Sequence, residues 1–325
     1  MRNGPLSHDR LAARLSRRFV TSSLFTILLS LASDRCPSTA AQSRSGQRKH
    51  RDSARQHHRP HTRRVTGEIV GGTVVPAGAY PFQVALLDHR YGEKRFHRQF
   101  CAGSLLDARH VLTAAHCVSD RKSTKPLNLR VAVGLTALNH DSAQARDVES
   151  IAIHPAYDAR RFEYDAALLR LAEPVDLTTA IPIRPAGPAD TSLEMPGTDL
   201  TIIGWGSTRP HLPGRKAKNK SPKYAHSLRQ TTVTVVDDEQ CLQAYHGKHV
   251  TPVVPAMMIC AAQPGRDSCT GDSGGPLFAA TPDGFVLVGI ISWGVGCAAP
   301  DHPGVYTRIS ALTDFLHQEL VERSP

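Results

Sequence analysis

The sequence predicts an all-β fold for the chain that follows residue 68, on the strength of two observations. Apolar runs in this part are short and rich in Val, Ile and Thr. Gly, Pro, Asn and Asp separate them, as is typical of turns between antiparallel strands in barrels or sandwiches. The clearest runs are FQVALL (82–87), RVAVGL (130–135), SIAIHP (150–155), LTIIGWG (200–206), TTVTVV (231–236) and GFVLVGIISWG (284–294).

One segment near the C-terminus breaks this pattern. Its apolar side chains recur at steps of three and four residues, which is the spacing of one helix face. The sequence therefore predicts a terminal amphipathic helix over Ser310–Glu322, with apolar positions at Ile309, Leu312, Phe315, Leu316 and Leu320.

Residues 1–40 have the features of a signal peptide. Three arginines between residues 14 and 18 precede an apolar run over Phe19–Ala32, which is too short to span a membrane. The stretch Ser16–Phe19 also resembles a weak twin-arginine signal, although basic pairs are common in ordinary secretion signals. No later segment is long and apolar enough to span a membrane. We therefore expect a secreted, extracellular protein without membrane contact after signal removal.

Residues 41–68 are polar and basic and predict a disordered propeptide, because they offer almost nothing to bury. The formal net charge of +10 belongs to the leader: residues 1–68 hold 14 of the 39 basic and 4 of the 29 acidic residues. The remaining chain is neutral overall, so its charge indicates no nucleic-acid or membrane partner. The Lys-rich insertion Pro210–Tyr224 predicts a solvated loop. A basic recognition patch is the alternative, but the insertion lacks interleaved aromatic residues for nucleic acid.

The chain has seven cysteines. Cys36 lies near the predicted signal cleavage region and leaves with it. An even number of six then remains in an exported chain, which predicts disulfides but leaves 15 pairings open. Zinc is the weaker alternative because there is no CxxC pair. We expect no metal and no cofactor.

The segment GDSGGP, Gly271–Pro276, carries the strongest chemical signal. A serine hydroxyl needs a base to become a nucleophile, and attack on a carbonyl develops an oxyanion that needs aimed N–H donors. Glycines around Ser273 allow a tight backbone that brings such donors close to substrate. The base candidate is His116 in LTAAHC, and the carboxylate candidate is Asp165 at the head of the apolar run DAALL. Taken singly, each motif also fits a structural turn or a buried polar residue.

Together, TAAHC, DAALL, GDSGGPL, SWG and PGVYT follow the order of the trypsin/chymotrypsin family of serine proteases, which residues 69–325 resemble. Subtilisins and α/β-hydrolases have their triad residues in other orders. The resemblance implies two six-stranded antiparallel Greek-key barrels with a C-terminal helix. It also implies an endopeptidase that works through an acyl-enzyme, and that acts on protein or peptide substrates as a monomer. The small set of cysteines is similar to that of bacterial and other simple secreted trypsins.

The resemblance assigns a role to each matching residue, and the triad roles are those of the family's well-known mechanism. Ser273 is the expected nucleophile, His116 the general base and then acid, and Asp165 the residue that orients His116. The N–H groups of Gly271 and Ser273 are the expected oxyanion hole. The segment Ser292, Trp293 and Gly294 is expected to pair with the substrate backbone.

The same resemblance places Asp267, six residues before Ser273, at the base of the primary specificity pocket. Gly294 and Gly304 match positions without side chains, which leave room for a long Arg or Lys. Ser268 could add a hydrogen bond to a lysine ammonium, so both cations are expected at the cleaved bond. An exposed loop acid is the alternative for Asp267. The implied disulfides are Cys101–Cys117, Cys241–Cys260 and Cys269–Cys297.

Activation is the point where the chain departs from the family. Asp272 is expected to receive the new α-amino group of Ile69 after cleavage of a zymogen. The residue before Ile69 is Glu68, where most relatives have Arg or Lys, so simple autoactivation is not expected. A separate activating protease is a possible partner. Two rival functions remain at this point: a catalytically silent binding protein, and a zymogen held inactive until a partner acts.

Overall fold

A computed structural model describes residues 69–322, except 89, 91–93, 95–97, 120–127, 140–142, 210–223 and 248–250. These residues belong to one compact unit that begins at Thr62. The predicted signal peptide (1–40), the predicted propeptide (41–68) and nearly all of the insertion over Pro210–Tyr224 lie outside the described residues. Within the described residues, no helix has the length and apolar character needed to cross a membrane.

The first barrel is built from strands β2 (Gln83–Asp88), β3 (Gln99–Leu105), β4 (His110–Thr113), β5 (Leu129–Val133), β6 (Gln144–Ile153) and β7 (Ala167–Leu171). They close in the order β2-β3-β4-β7-β6-β5, and every pairing is antiparallel. The step from β4 to β7 makes the path a Greek key. It also brings the C-terminal end of β4 beside the N-terminal end of β7, because Thr113 pairs with Ala167.

The second barrel is built from β9 (Asp199–Gly204), β10 (Arg229–Val235), β11 (Met258–Ala262), β12 (Pro276–Thr281), β13 (Gly284–Trp293) and β14 (Gly304–Arg308). The ring runs β9-β10-β11-β14-β13-β12 and closes through pairing of β12 with β9. Two short strands, β1 (Thr73–Val74) and β8 (Arg184–Pro185), add to β10 and β13 from outside the ring. The predicted architecture of two six-stranded antiparallel barrels is confirmed.

All six apolar runs of the sequence fall in strands: β2, β5, β6, β9, β10 and β13. Strands β3 and β11 are not among those runs. Their sequences, QFCAGSL and MICAA, contain small residues and cysteines, which carry little β-propensity of their own. These strands form because both neighbours in the barrel supply hydrogen bonds and the side chains are buried.

An aromatic cluster packs the two barrels together. Tyr80 and Phe82 lie just before β2, while Phe278 and Phe285 belong to β12 and β13 of the second barrel. Their ring centroids lie 5.1–5.8 Å apart, mostly edge to face, which is the favoured aromatic geometry. The contact fixes the position of one barrel relative to the other, and so the position of the loops at their junction.

The C-terminal helix is confirmed, with changing pitch. A 3-10 turn over Ile309–Leu312 leads into α-helix Thr313–His317 and then a π-helical turn over Gln318–Glu322. The predicted apolar face is the buried one: Ile309, Leu312, Phe315 and Leu316 are enclosed, and Leu320 packs against the core.

Three disulfides join the six cysteines that follow residue 68: Cys101–Cys117, Cys241–Cys260 and Cys269–Cys297. They are the three pairs that the family resemblance implies. The first ties β3 to the short helix α1 (Ala115–Val118), and the second ties helix α2 (Asp238–Ala244) to β11. The third joins two loops of the second barrel.

Candidate active site

The predicted base and carboxylate are brought together by the pairing of β4 with β7. His116 lies in α1, directly after β4, and Asp165 lies two residues before β7. His116 Nδ1 is 2.7 Å from Asp165 Oδ2, and the His116 backbone N–H donates to Asp165 Oδ1 at 2.8 Å. A carboxylate at Nδ1 favours the tautomer with its proton there, which leaves Nε2 free to accept a proton.

Asp165 is fully buried, and its polar atoms are satisfied. Besides the two bonds from His116, the Ser292 hydroxyl donates to Oδ2, and Thr307 Oγ1 donates to the backbone carbonyl at 3.0 Å. The bond from Ser292 is a feature that the sequence prediction missed, since it gave this residue only a backbone role. A buried carboxylate with this many donors is held in one position.

Ser273 lies in the loop before β12, and backbone contacts hold it from both barrels. Its carbonyl accepts the Ala102 N–H at 2.8 Å from β3, and the next N–H, of Gly274, donates to Ile291 O at 2.8 Å. Gly274 has φ +80°, and a Cβ there would lie 2.2 Å from Thr113 Oγ1. Only glycine fits this position, which explains the residue that follows the serine.

The Cys101–Cys117 disulfide lies beside both Ser273 and His116. Cys117 Sγ lies 3.8 Å from His116 Nε2 and 3.6 Å from the Ser273 carbonyl oxygen. No hydrogen bond joins the Ser273 hydroxyl to His116 among the described residues. Bonds of this kind are often long in ligand-free enzymes and tighten when substrate binds.

The predicted oxyanion donors are free of protein acceptors. Within the described residues, the backbone N–H of Gly271 and that of Ser273 donate to no protein atom. Gly271 has φ +101°, a conformation that glycine adopts at little cost. Two unused N–H groups beside a serine hydroxyl are available to an incoming carbonyl oxygen.

Asp267 and Ser273 both line a cavity of about 230 Å³. Asp267 Oδ2 accepts the Ala298 N–H at 2.8 Å, and Ser268 also donates to the carboxylate. Burial raises the pKa of Asp267 to about 6, although these hydrogen bonds pull it down. Such a carboxylate gains from a cation that enters the cavity.

Both predicted glycines line this cavity, together with Ser292 and Trp293. A Cβ on Gly304 would lie 3.2 Å from Asp267 Oδ1, in the space that a cation needs. A Cβ on Gly294 would face Gly304 Cα at 3.9 Å across the cavity. The Trp293 ring packs edge-on against Tyr245, with ring centroids 4.8 Å apart, and so forms a fixed wall.

Asp272 is fully buried beside the nucleophile. Its carboxylate accepts the Gly206 N–H at 2.7 Å and the Cys269 N–H at 2.9 Å. Burial raises the pKa of Asp272 to about 7, and no ion pair reaches it within the described part of the chain. A Cβ on Gly204 would lie 1.9 Å from Asp272 Oδ1. The GWG motif over 204–206 therefore contains a second position where only glycine fits, and sequence reasoning missed it.

Ile69 is fully buried in the core of the second barrel. Its carbonyl accepts the Gly72 N–H at 2.7 Å, and the Val70 carbonyl accepts the Asp267 N–H at 3.2 Å. The start of the peptidase region thus pairs with the base of the cavity. Ile69 has φ +35°, which is strained for a β-branched residue.

Cys101, His116 and Cys117 form a group of metal-ligand type. Both sulfurs belong to one disulfide, so neither is a thiolate that could bind a metal. His116 is then the only residue of this group that could bind a metal.

A sequence profile of the Trypsin family matches residues 69–316. The chain belongs to the trypsin family of serine proteases. Three relatives are nearly equally similar to it: serine proteinase stubble of Drosophila melanogaster (34% identity over 266 residues, 79% of this chain and 31% of that protein), a tryptase of Mus musculus (34% over 254 residues, 77% and 87%), and a trypsin of Saccharopolyspora erythraea (35% over 254 residues, 78% and 98%).

Membership of the trypsin family supports a serine endopeptidase. The chain spans about a third of the Drosophila protein and most of the other two relatives.

The pKa of Asp267 predicts how binding in the cavity depends on pH. Benzamidine, a flat arginine-like cation, is expected to bind tightly above about pH 6, where this carboxyl is ionised. As pH falls through about 6, the free carboxyl takes up a proton, so affinity is expected to drop by about tenfold per pH unit. Isothermal titration calorimetry on the Ser273→Ala protein measures this. Asp267→Asn is the matched control, and a full pH response in that variant would contradict the assignment.

Proposed function

We propose that this trypsin-family protease cleaves peptide bonds after Arg and Lys. The observation that carries the proposal is the carboxylate of Asp267 at the base of a cavity that Ser273 borders. A buried negative charge facing the substrate discriminates strongly against neutral side chains, because a substrate without a cation leaves it unpaired. Gly294 and Gly304 support the proposal, since side chains there would fill the path of a long basic residue.

The proposed chemistry is acyl transfer. Ser273 Oγ attacks the substrate carbonyl carbon, and His116 Nε2 takes its proton. The bond from His116 to Asp165 supports this role, because a buried carboxylate stabilises the imidazolium that forms. His116 then protonates the leaving amine, and the peptide bond breaks. Water deprotonated by His116 attacks the acyl-enzyme and restores Ser273.

The N–H groups of Gly271 and Ser273 are the proposed oxyanion hole. Both lack protein acceptors among the described residues, which supports this role. Donors of this kind act mainly in the transition state, where the oxygen carries its full charge.

The protein is proposed to be an exported zymogen that is activated by a free amino group on Ile69. Two properties of the site support this: within the described residues no cation pairs with the buried Asp272 carboxylate, and the φ angle of Ile69 is strained. Cleavage of the Glu68–Ile69 bond removes the strained dihedral, which relieves on the order of 1–3 kcal/mol. It also creates an ammonium group that can pair with Asp272. Three disulfides support export to an oxidising compartment, with residues 1–40 as the signal.

Two processing routes fit the residues before Ile69, which lie outside the described region. A cut after Arg64 leaves Val65-Thr66-Gly67-Glu68, which an aminodipeptidase could remove as two dipeptides. A Glu-specific protease could instead cut once after Glu68. The routes differ in whether a form beginning at Val65 accumulates first.

Specificity is tested by replacing the proposed cation partner. Asp267→Ser is expected to lower kcat/KM for an arginine p-nitroanilide by about 10²–10⁴-fold, since a buried charge partner is lost. Asp283→Ser is the matched control: Asp283 is exposed in the turn between β12 and β13, and its loss is expected to change nothing. A preference for Arg over Phe that survives in Asp267→Ser would mean that the cavity is not the specificity pocket.

The triad is tested by non-additivity. Ser273→Ala and His116→Ala are each expected to lower kcat by about 10⁴–10⁶-fold, and the double variant is expected to be scarcely worse, because the residues act as one unit. His246→Ala, at an exposed histidine after α2, controls for the loss of an imidazole. Losses that multiply in the double variant would count against the assignment.

Activation is tested by N-terminal sequencing and by stability. The active enzyme is expected to begin at Ile69. In a Ser273→Ala background, the uncut chain is expected to lose roughly 4 kcal/mol of unfolding free energy as pH rises from about 4 to about 7, because the folded pKa of Asp272 is raised above its unfolded value. The cut chain is expected to lose less, because its ammonium group stabilises the ionised carboxylate.

Asp272→Asn is the control, and it is expected to remove the difference between the cut and uncut chains. An active enzyme whose only N-terminus is Val65 would refute both processing routes and the pairing of Ile69 with Asp272.

A further inference from the structure

Gln99 makes a contact across the barrel junction that none of the roles above explains. It is the first residue of β3 and is half-buried. Its Nε2 donates to the carbonyl oxygen of Gly271 at 2.7 Å and to that of Cys101 at 3.1 Å. A side chain of the first barrel thus holds a backbone group of the nucleophile loop, 172 positions away in the chain.

The orientation of this amide follows from its partners. Both contacts are carbonyl oxygens, which only accept hydrogen bonds. The amide oxygen in that position would face two other oxygens, so the NH₂ group must point toward them. Each of its hydrogens has one acceptor.

Gly271 takes part in few hydrogen bonds. Within the described residues, its carbonyl accepts from Gln99, and its N–H donates to no protein atom. The neighbours on both sides are anchored: the Thr270 carbonyl accepts the Ser207 N–H at 2.8 Å, and the Asp272 N–H donates to Cys269 O at 2.9 Å. Glycine rotates more freely about its backbone bonds than any other residue. The Gly271 N–H shares a peptide plane with the Thr270 carbonyl, which Ser207 holds, and the bond from Gln99 holds the next plane, that of the Gly271 carbonyl.

We propose that Gln99 is a positioning residue that keeps the Gly271 N–H directed at the substrate oxygen. The inference rests on the proposed function, in which that N–H is half of the oxyanion hole. Because Ser207 holds the peptide plane before the Gly271 Cα and Gln99 holds the plane after it, both backbone dihedrals of this glycine are restrained before substrate arrives. Donors that need no reorganisation during the reaction contribute most to catalysis.

The test uses Gln99→Leu, which keeps the size of the side chain and removes both donors. In the activated enzyme, kcat for an arginine p-nitroanilide is expected to fall about tenfold, less than the loss from deleting an oxyanion donor. The KM for this substrate and the Kd for benzamidine are expected to stay within about twofold, since uniform binding is untouched. A peptide arginine aldehyde, which forms a tetrahedral adduct with the serine, is expected to bind about tenfold more weakly.

Two further variants sharpen the result. Gln99→Glu keeps the length but turns a carboxylate toward two carbonyls, so it is expected to lower kcat at least as much as Gln99→Leu. Gln144→Leu is the matched control. Gln144 also bridges to a backbone carbonyl in the first barrel, Asp176 O at 2.8 Å, but on an exposed surface, and its loss is expected to leave all four measurements unchanged.

Three results would overturn the inference. An unchanged kcat in Gln99→Leu would show that Gly271 holds its orientation without the amide. A parallel loss of benzamidine affinity would show that the variant disturbs the whole nucleophile loop. A loss of kcat seen only with peptides that continue after the cleaved bond would indicate that Gln99 contacts the substrate directly. If the wild-type enzyme neither hydrolyses the p-nitroanilide nor forms the aldehyde adduct, the proposed function itself fails, which is distinct from an active wild type with an unaffected variant.

Discussion

The hydrogen bond from Ala102 in the first barrel to the carbonyl of Ser273 in the second is the contact on which the site depends. His116 and Asp165 are held by β4 and β7 of the first barrel, whereas Ser273 is carried by a loop of the second. Neither barrel alone fixes the position of Ser273 relative to His116 and Asp165. The aromatic contact between Phe82 and Phe278 sets the barrels in place at a coarse level. The bond from Ala102, and the close packing of Gly274 against Thr113, then fix the position of Ser273.

Three enclosed carboxylates surround the serine, and each differs from the others in how its charge is balanced. Asp165 has donors on both oxygens, including the imidazole it orients. Asp267 has donors from Ala298 and Ser268 and lines a cavity, and burial raises its pKa although these donors lower it, so it is the proposed partner for a substrate cation. Asp272 has two N–H donors and, among the described residues, no cation. Since a buried unpaired charge is costly, the last two carboxylates favour the two proposed partners: a basic side chain from the substrate for Asp267, and an ammonium group from the chain itself for Asp272.

The fold and the principal residues could be predicted from the sequence because their signals lie in contiguous motifs. The triad candidates stand in TAAHC, DAALL and GDSGGP. The short β-branched runs predict antiparallel strands, and the family resemblance implies their arrangement in two barrels. What escaped prediction depends on contacts between distant segments. Gly204 is required only because Asp272 lies where its Cβ would be, and the hydroxyl of Ser292 matters only because Asp165 lies against it. Gln99 has no motif around it at all. Strand β3 was missed for the same reason, since its small residues become a strand only between β2 and β4.

The proposed specificity and the proposed activation are linked through one charge. A pocket whose base is the Asp267 carboxylate attracts Arg and Lys and repels another carboxylate, so it excludes Glu68 by the same electrostatics with which it selects its substrates. The leader is rich in arginine, and four residues separate its last arginine, Arg64, from Ile69. An enzyme with this pocket can therefore shorten its own leader but stops short of the bond that matters. Under the proposed activation, the acidic residue before Ile69 works against self-activation, and Asp272 is expected to stay without its partner until a protease of different specificity acts.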